Sequence, residues 1–78
     1  MKTKRFIYEY RNYTIKGLNE CRTAGNEKLI NYLIARINKY VMACENGLIS
    51  PHETVKAISG FYEIRNDENT KNYIEKEG

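Results

Sequence analysis

Residues 26–47 read NEKLINYLIARINKYVMACENG, and this stretch decides the fold. Its apolar side chains recur at steps of three and four residues, which at about 100° per residue places them on one stripe of an α-helix. Asn26 suits the N-cap of such a helix, and Gly47 suits the left-handed residue that follows its end. We therefore predict one continuous amphipathic helix on which the rest of the chain packs. Its stripe consists of Ile30, Leu33, Ile34, Ile37, Val41 and Cys44.

The chain has 78 residues, of which 41% are hydrophobic and 29% charged, as in a folded domain with a single small core. We predict that residues 1–65 form this compact domain. Residues 66–78 are rich in Asn, Glu and Lys, and their only large apolar residues are Tyr73 and Ile74. We expect this segment to be a polar tail or a short docked helix.

The sequence Ser50-Pro51-His52-Glu53 predicts the start of a second helix. Serine at the N-cap, proline at the first helical position and glutamate at the third form a capping box. Gly60 either ends this helix or bends it. Only a short connection separates the two helices, so we expect them to pack as an angled or antiparallel pair.

Residues 5–16, RFIYEYRNYTIK, are open to two interpretations. Aromatic and β-branched residues favour strands, and a turn at Arg11-Asn12 would pair Tyr10 with Tyr13 and Tyr8 with Ile15 on one side of a hairpin. The predicted fold class is therefore α+β and mostly helical, with an N-terminal β-hairpin packed on the long central helix plus a second capped helix. The alternative is an all-α three-helix bundle, whose first helix would bury Phe6, Ile7, Tyr10, Tyr13, Thr14, Leu18 and Cys21.

The residues that usually carry catalysis are sparse. His52 is the only histidine and lies in a predicted first turn, and the two cysteines do not have the spacing of a zinc site. We expect no enzymatic activity, no cofactor and no metal. Reduced Cys21 and Cys44 suit a cytoplasmic protein, and no apolar run approaches the ~20 residues that would cross a membrane.

Basic and aromatic residues alternate near the N-terminus, where residues 1–25 carry six basic and two acidic side chains. Such a mixture can hold a nucleic acid strand by charge and stacking. Tyrosine is also common in protein interfaces, because it covers area at little cost in rotamer entropy. The candidate binding residues are Lys4, Arg5, Tyr8, Tyr10, Arg11, Tyr13 and Lys16.

A second candidate for nucleic acid binding covers residues 43–60. This segment resembles the helix-turn-helix DNA-binding motif in its small residue, its turn glycine and the pattern of its second helix, carried by Ala43, Gly47, Ser50, Thr54, Val55 and Ile58. The resemblance implies a recognition helix starting at Pro51. Its turn is one residue longer than the tight form, and an ordinary helical hairpin has the same pattern.

We expect a small non-enzymatic interaction or regulatory module that inhibits a macromolecular machine by occupying a surface on it. The expected partner is another protein or a protein–nucleic acid complex; a second copy of the chain would be the simplest cover for leftover apolar surface. The alternative is a small DNA- or single-strand-binding protein. Residues with AT-rich codons (Phe, Tyr, Met, Ile, Asn and Lys) make up 37 of 78, which is typical of a phage or mobile element of a low-GC bacterium.

Overall fold

The computed structural model describes residues 2–77, with the side chains of residues 5–76. Four helices account for nearly all of this range, and no strand occurs within it. The helices are α1 (Lys2–Glu20), α2 (Glu27–Glu45), α3 (Pro51–Glu63) and α4 (Glu68–Glu77). None of these four described helices is long and apolar enough to cross a membrane.

Helix α2 is the centre of the structure, since it is the only helix that contacts all three others. It is unbroken, as its apolar spacing predicts. Its buried side chains are Leu29, Ile30, Leu33, Ile37 and Val41, and none of them exposes more than 1% of its surface. The remaining two members of the predicted stripe, Ile34 and Cys44, are partly buried against the same core.

The predicted N-terminal β-hairpin is wrong, because residues 5–16 lie inside α1 and the fold is all-α. Ile7, Thr14 and Leu18 lie one or two helical turns apart, so a helix turns all three toward α2 and α3, where they are buried. This burial outweighs the strand preference of the local residues, as tertiary packing commonly does. The all-α alternative has the correct class, but the structure has four helices, and it leaves Phe6 and Tyr13 exposed.

A close contact explains why α1 tolerates Gly17 in its interior, where glycine costs about 1 kcal/mol relative to alanine. A Cβ atom at this position would lie 3.1 Å from Cε1 of Tyr62 on α3. The missing side chain therefore lets the Tyr62 ring approach the backbone of α1. Nearby, the hydroxyl groups of Tyr10 and Ser59 form a hydrogen bond that also joins α1 to α3.

Helix α2 ends at a left-handed glycine, as predicted: Gly47 has φ of 76°. The amide of Gly47 donates to the carbonyl of Cys44, and the amide of Leu48 donates to that of Ala43 at 2.9 Å. This pair of bonds is the Schellman motif, in which glycine avoids the steric penalty of positive φ. Leu48 contacts the end of α2 through its backbone, since its side chain is 75% exposed.

The predicted capping box at the start of α3 is confirmed. The Glu53 amide donates to Oγ of Ser50 at 3.1 Å, and the Ser50 amide donates to the Glu53 carboxylate at 3.2 Å. The cap of α2 differs from the prediction, because the Asn26 side chain makes no capping bond. It turns back to the preceding loop, where it accepts from the Thr23 amide and donates to the Cys21 carbonyl.

Helix α4 lies within the segment predicted as a polar tail or a short docked helix. Asp67 caps it, since its carboxylate accepts from both the amide and the hydroxyl of Thr70, at 2.8 and 2.6 Å. Among the residues that the structure describes, α4 contacts no helix other than α2, and Ile74 is its apolar residue packed against the core. The one-sided attachment makes the molecule longer than a compact domain of this length: its radius of gyration is 12.9 Å, against about 11.5 Å expected.

Candidate interaction surface

The predicted binding residues all lie on α1, and the helix distributes them around its axis in steps of about 100°. The three tyrosines among them therefore do not share the one side that the predicted hairpin would have given them. Arg5, Lys16 and Tyr13 point to solvent, whereas Tyr8, Tyr10 and Arg11 are partly buried. The Lys4 side chain lies outside the described residues.

Tyr8 and Arg11 lie on the side of α1 that faces the end of α2. The Arg11 guanidinium is 5.2 Å from the centroid of the Tyr8 ring, and Tyr8 packs against the core. Partial burial raises the pKa of the Tyr8 hydroxyl, and the nearby Glu45 carboxylate raises it further. Tyr8 thus joins α1 to the end of α2, and Arg11 lies over its ring.

The opposite side of α1 carries three aromatic rings in a row, Phe6, Tyr10 and Tyr13, which we call the aromatic flank. Phe6 is 54% exposed and Tyr13 is 75% exposed. The rings of Phe6 and Tyr10 stack with centroids 6.2 Å apart and planes 15° from parallel. Tyr10 is the middle ring of the three, and its hydrogen bond to Ser59 holds that ring in place.

A groove runs beside the aromatic flank, between α1 and α3, with a volume of about 390 Å³. At Gly17 the edge of the Tyr62 ring lies against the backbone of α1 and forms part of the groove wall. The charged groups along it are one ammonium and two carboxylates, so the groove is slightly acidic. Its lining consists of Tyr10, Tyr13, Thr14, Lys16, Gly17, Glu20, Ser59, Tyr62 and Glu63.

The solvent side of α1 carries a charged flank that consists of Arg5, Glu9, Lys16 and Glu20, all exposed. Arg5 and Glu9 form an ion pair of 3.1 Å whose side chains are 83% and 65% exposed. A pair this open contributes little to folding, because water and salt screen it. The four charges are therefore available to a partner.

A cationic surface on α2 was missed as a site by sequence reasoning. Lys28, Tyr32, Arg36 and Lys39 recur at helical spacing on the side of α2 away from the core, and among the described residues no carboxylate lies within 4 Å of these three cations. The Arg36 guanidinium lies 5.9 Å from the Tyr40 ring centroid. The signal was available, since the same periodicity that defines the apolar stripe places these residues opposite it.

The helix-turn-helix resemblance meets an unfavourable charge at the start of α3. His52 and Glu53 are both exposed there. The Ser50 amide, which donates to the Glu53 carboxylate, lowers the pKa of Glu53 most, and the Ser50 hydroxyl lowers it further, so this carboxylate is ionised at neutral pH. A negative charge at this position repels the phosphates that a recognition helix would approach.

Within the part of the chain that the structure describes, no group of three or more His, Cys, Asp or Glu side chains is placed to hold a metal ion. Comparison of the sequence with protein-family models and with curated proteins, and of the structure with solved structures, gives no match.

Proposed function

We propose that this protein is a small non-enzymatic interaction module that acts by covering a surface of another protein. The observation that carries the proposal is the aromatic flank, where Phe6 and Tyr13 remain 54% and 75% exposed on a helix that already has a complete buried face. Neighbouring aromatic rings that are not needed for the core are typical of protein interfaces.

The groove beside this flank favours a protein over a nucleic acid as the partner. Glu20 and Glu63 line it together with Lys16. Two carboxylates against one ammonium repel a phosphate backbone, whereas they accept amide, hydroxyl or basic groups of a polypeptide. Tyr62 also lines this groove, and its ring offers an apolar surface against which a side chain of the partner would pack.

A regulatory role suits a module of this kind, because binding alone is enough to block a surface that a larger machine needs. The excess of residues with AT-rich codons fits an accessory protein of a phage or mobile element in a low-GC bacterium. Two free cysteines fit a cytoplasmic location, since thiols stay reduced there.

The test compares two variants, each of which removes one largely exposed tyrosine from a different helix. Tyr13 on α1 is 75% exposed and Tyr73 on α4 is 63% exposed, so neither substitution by alanine should unfold the chain. The immobilised protein is incubated with nuclease-treated lysate of a low-GC bacterium. We expect Tyr13→Ala to lose the retained proteins and Tyr73→Ala to keep them. Equal retention by both variants would contradict a role for the aromatic flank.

Nucleic acid binding is the second candidate, and the cationic surface of α2 favours it. Lys28, Arg36 and Lys39 have no carboxylate counter-ion within 4 Å among the described residues, and Tyr32 between them is 39% exposed. Phosphate contacts release counter-ions, so affinity for a single or double strand would fall steeply as salt rises. Arg36→Gln with Lys39→Gln would reduce that slope by about two. Absence of binding at low salt would remove this candidate.

A further inference from the structure

We infer that a second copy of this chain binds to α1, with the two α1 helices antiparallel and related by a twofold axis. The inference rests on the proposed function in one respect, namely that the outer face of α1 is an interaction surface. It adds the identity of an occupant, and four features of α1 support it: the order of its charges, their position on the helix, their relation to the helix dipole, and the aromatic flank.

The order of charges on α1 is self-complementary when the helix is reversed. Along the charged flank the sequence runs positive, negative, positive, negative, at Arg5, Glu9, Lys16 and Glu20. In one antiparallel register Arg5 opposes the partner subunit's Glu20, and Glu9 opposes the partner subunit's Lys16. The twofold axis repeats both pairs, so all four charges of each copy meet an opposite charge.

These four residues also share one side of the helix. At about 100° per residue they fall within a stripe roughly 60° wide, next to the aromatic flank. A twofold axis perpendicular to two antiparallel helices brings each flank against the same flank of the other copy. The charged flank of one copy therefore meets the charged flank of the other, and the two aromatic flanks meet in the same way. All four charges are exposed in the single chain, so they are free to make these contacts.

The charges of α1 oppose its own helix dipole. The helix has no acidic residue in its first turn and no basic residue in its last turn, whereas Arg5 lies near its start and Glu20 at its end. This arrangement is unfavourable in an isolated helix, since the N-terminus carries partial positive charge. An antiparallel neighbour removes the conflict, because the basic start of each helix lies beside the acidic, negatively polarised end of the other.

The same register gives the aromatic flank a partner. Tyr13 faces the partner subunit's Asn12, so the two copies of Tyr13 lie side by side across the axis. Phe6 faces the partner subunit's Asn19, which lies between two residues that line the partner subunit's groove, Gly17 and Glu20. The groove is completed by a ring from the second copy, which explains why Phe6 is exposed in the single chain.

Charge reversal tests the register directly. One variant carries Arg5→Glu with Lys16→Glu, and the other carries Glu9→Lys with Glu20→Lys. Each variant alone places like charges at all four cross-subunit pairs, whereas an equal mixture restores opposite charges at all of them. The four positions are exposed, so both variants should keep the helix content of the wild type, which circular dichroism verifies.

Sedimentation velocity at high micromolar concentration and low salt measures the outcome. We expect the wild type to sediment as a dimer, with a mass about twice the chain mass of 9.2 kDa. Each variant should dimerise about tenfold or more weakly, and the equal mixture should recover the dimer. Phe6→Ala should also weaken the dimer, while Tyr73→Ala should leave it unchanged.

Two results would overturn the inference: a wild type that stays monomeric, or variants that dimerise alone as well as they do when mixed. Either result leaves the proposed function standing if Tyr13→Ala still loses retained proteins that Tyr73→Ala keeps. Conversely, a charge-dependent dimer that retains no other protein would support self-pairing and contradict binding to a heterologous protein. The two failures are therefore distinguishable.

Discussion

Gly17→Ala measures how tightly α1 and α3 are packed. In an unobstructed helix, alanine stabilises the folded state by about 1 kcal/mol relative to glycine. Here the new methyl group would lie 3.1 Å from Cε1, 3.4 Å from Oη and 3.6 Å from Cζ of Tyr62. Carbon atoms prefer separations of about 3.5–4.0 Å, so the ring edge would have to retreat by roughly 0.5 Å.

The free energy needed to displace the Tyr62 ring decides whether Gly17→Ala stabilises or destabilises the folded state. Overpacking a rigid core costs about 1–3 kcal/mol, and Tyr62 belongs at the low end because its ring is partly exposed. A cost of about 1 kcal/mol cancels the gain in helix propensity, so Gly17→Ala alone should be nearly neutral. Tyr62→Leu removes the three ring atoms that approach Gly17 and keeps an apolar side chain. In that background Gly17→Ala should stabilise by about 1 kcal/mol.

Thermal unfolding, monitored by circular dichroism, measures the effect of Gly17→Ala in the wild type and in the Tyr62→Leu background. For a domain of this size, 1 kcal/mol corresponds to about 4–8 °C in melting temperature. We expect this increase from Gly17→Ala in the Tyr62→Leu background and less than about half of it in the wild type. Measurements at low micromolar concentration, repeated at several dilutions, keep self-association out of the comparison. An equal gain in both backgrounds would refute the claim that the Tyr62 ring constrains this glycine.

Ile37→Ala, at a side chain with no exposed surface, should lower the free energy of unfolding by about 2–5 kcal/mol in urea denaturation, whereas Met42→Ala, 61% exposed on the same helix, should change it by under about 0.5. Ser50→Ala should cost about 1 kcal/mol through loss of the α3 cap; a smaller loss than that of Met42→Ala would contradict the capping bond. Hydrogen bonds lower the pKa of Glu53 and Asp67 in the folded state below the reference values of 4.5 and 3.8. Their stabilisation is present above the unfolded-state pKa values and is lost as pH falls through the folded ones, so melting temperature should drop in that acid range. Glu53→Gln with Asp67→Asn preserves both caps without titration and should flatten the drop, and an unchanged pH profile would count against the carboxylates as its source.

The elements that sequence reasoning predicted well are those whose signals are local and agree with one another. For α2, the spacing of Ile30, Leu33 and Ile37 and the glycine after its end all indicate the same helix. For α3, the capping box alone fixes the first residue. Neither prediction depended on a contact from elsewhere in the chain, which is why both hold.

Helix α1 could not be predicted with the same certainty, because its local and long-range signals conflict. Tyr8, Tyr10 and Ile15 favour strand by propensity, and Gly17 disfavours a helix interior. The deciding contacts come from α3, more than 40 residues away in sequence, where Ser59 and Tyr62 meet α1. Nothing in residues 5–16 indicates those partners.

The candidate site shows the same limit. Sequence reasoning identified the basic and aromatic character of α1, but a hairpin would have placed Tyr8, Tyr10 and Tyr13 on one side. The helix separates them instead, turning Tyr8 toward the end of α2 and Tyr13 to solvent. Phe6, which was assigned to a core face in the helical alternative, is part of the exposed surface, and the groove needed α3 to exist.

Among the described residues α4 contacts α2 alone, so α4 should detach more easily than the other three helices. Residues 64–67 connect α3 to α4, and detaching α4 itself leaves the pairwise contacts among α1, α2 and α3 in place. A protease should therefore nick this connection first, and the trimmed three-helix product should still present the outer face of α1. The interaction surface proposed on α1 does not include the C-terminal segment, so we expect shortening the chain there to change its lifetime more than its binding through α1.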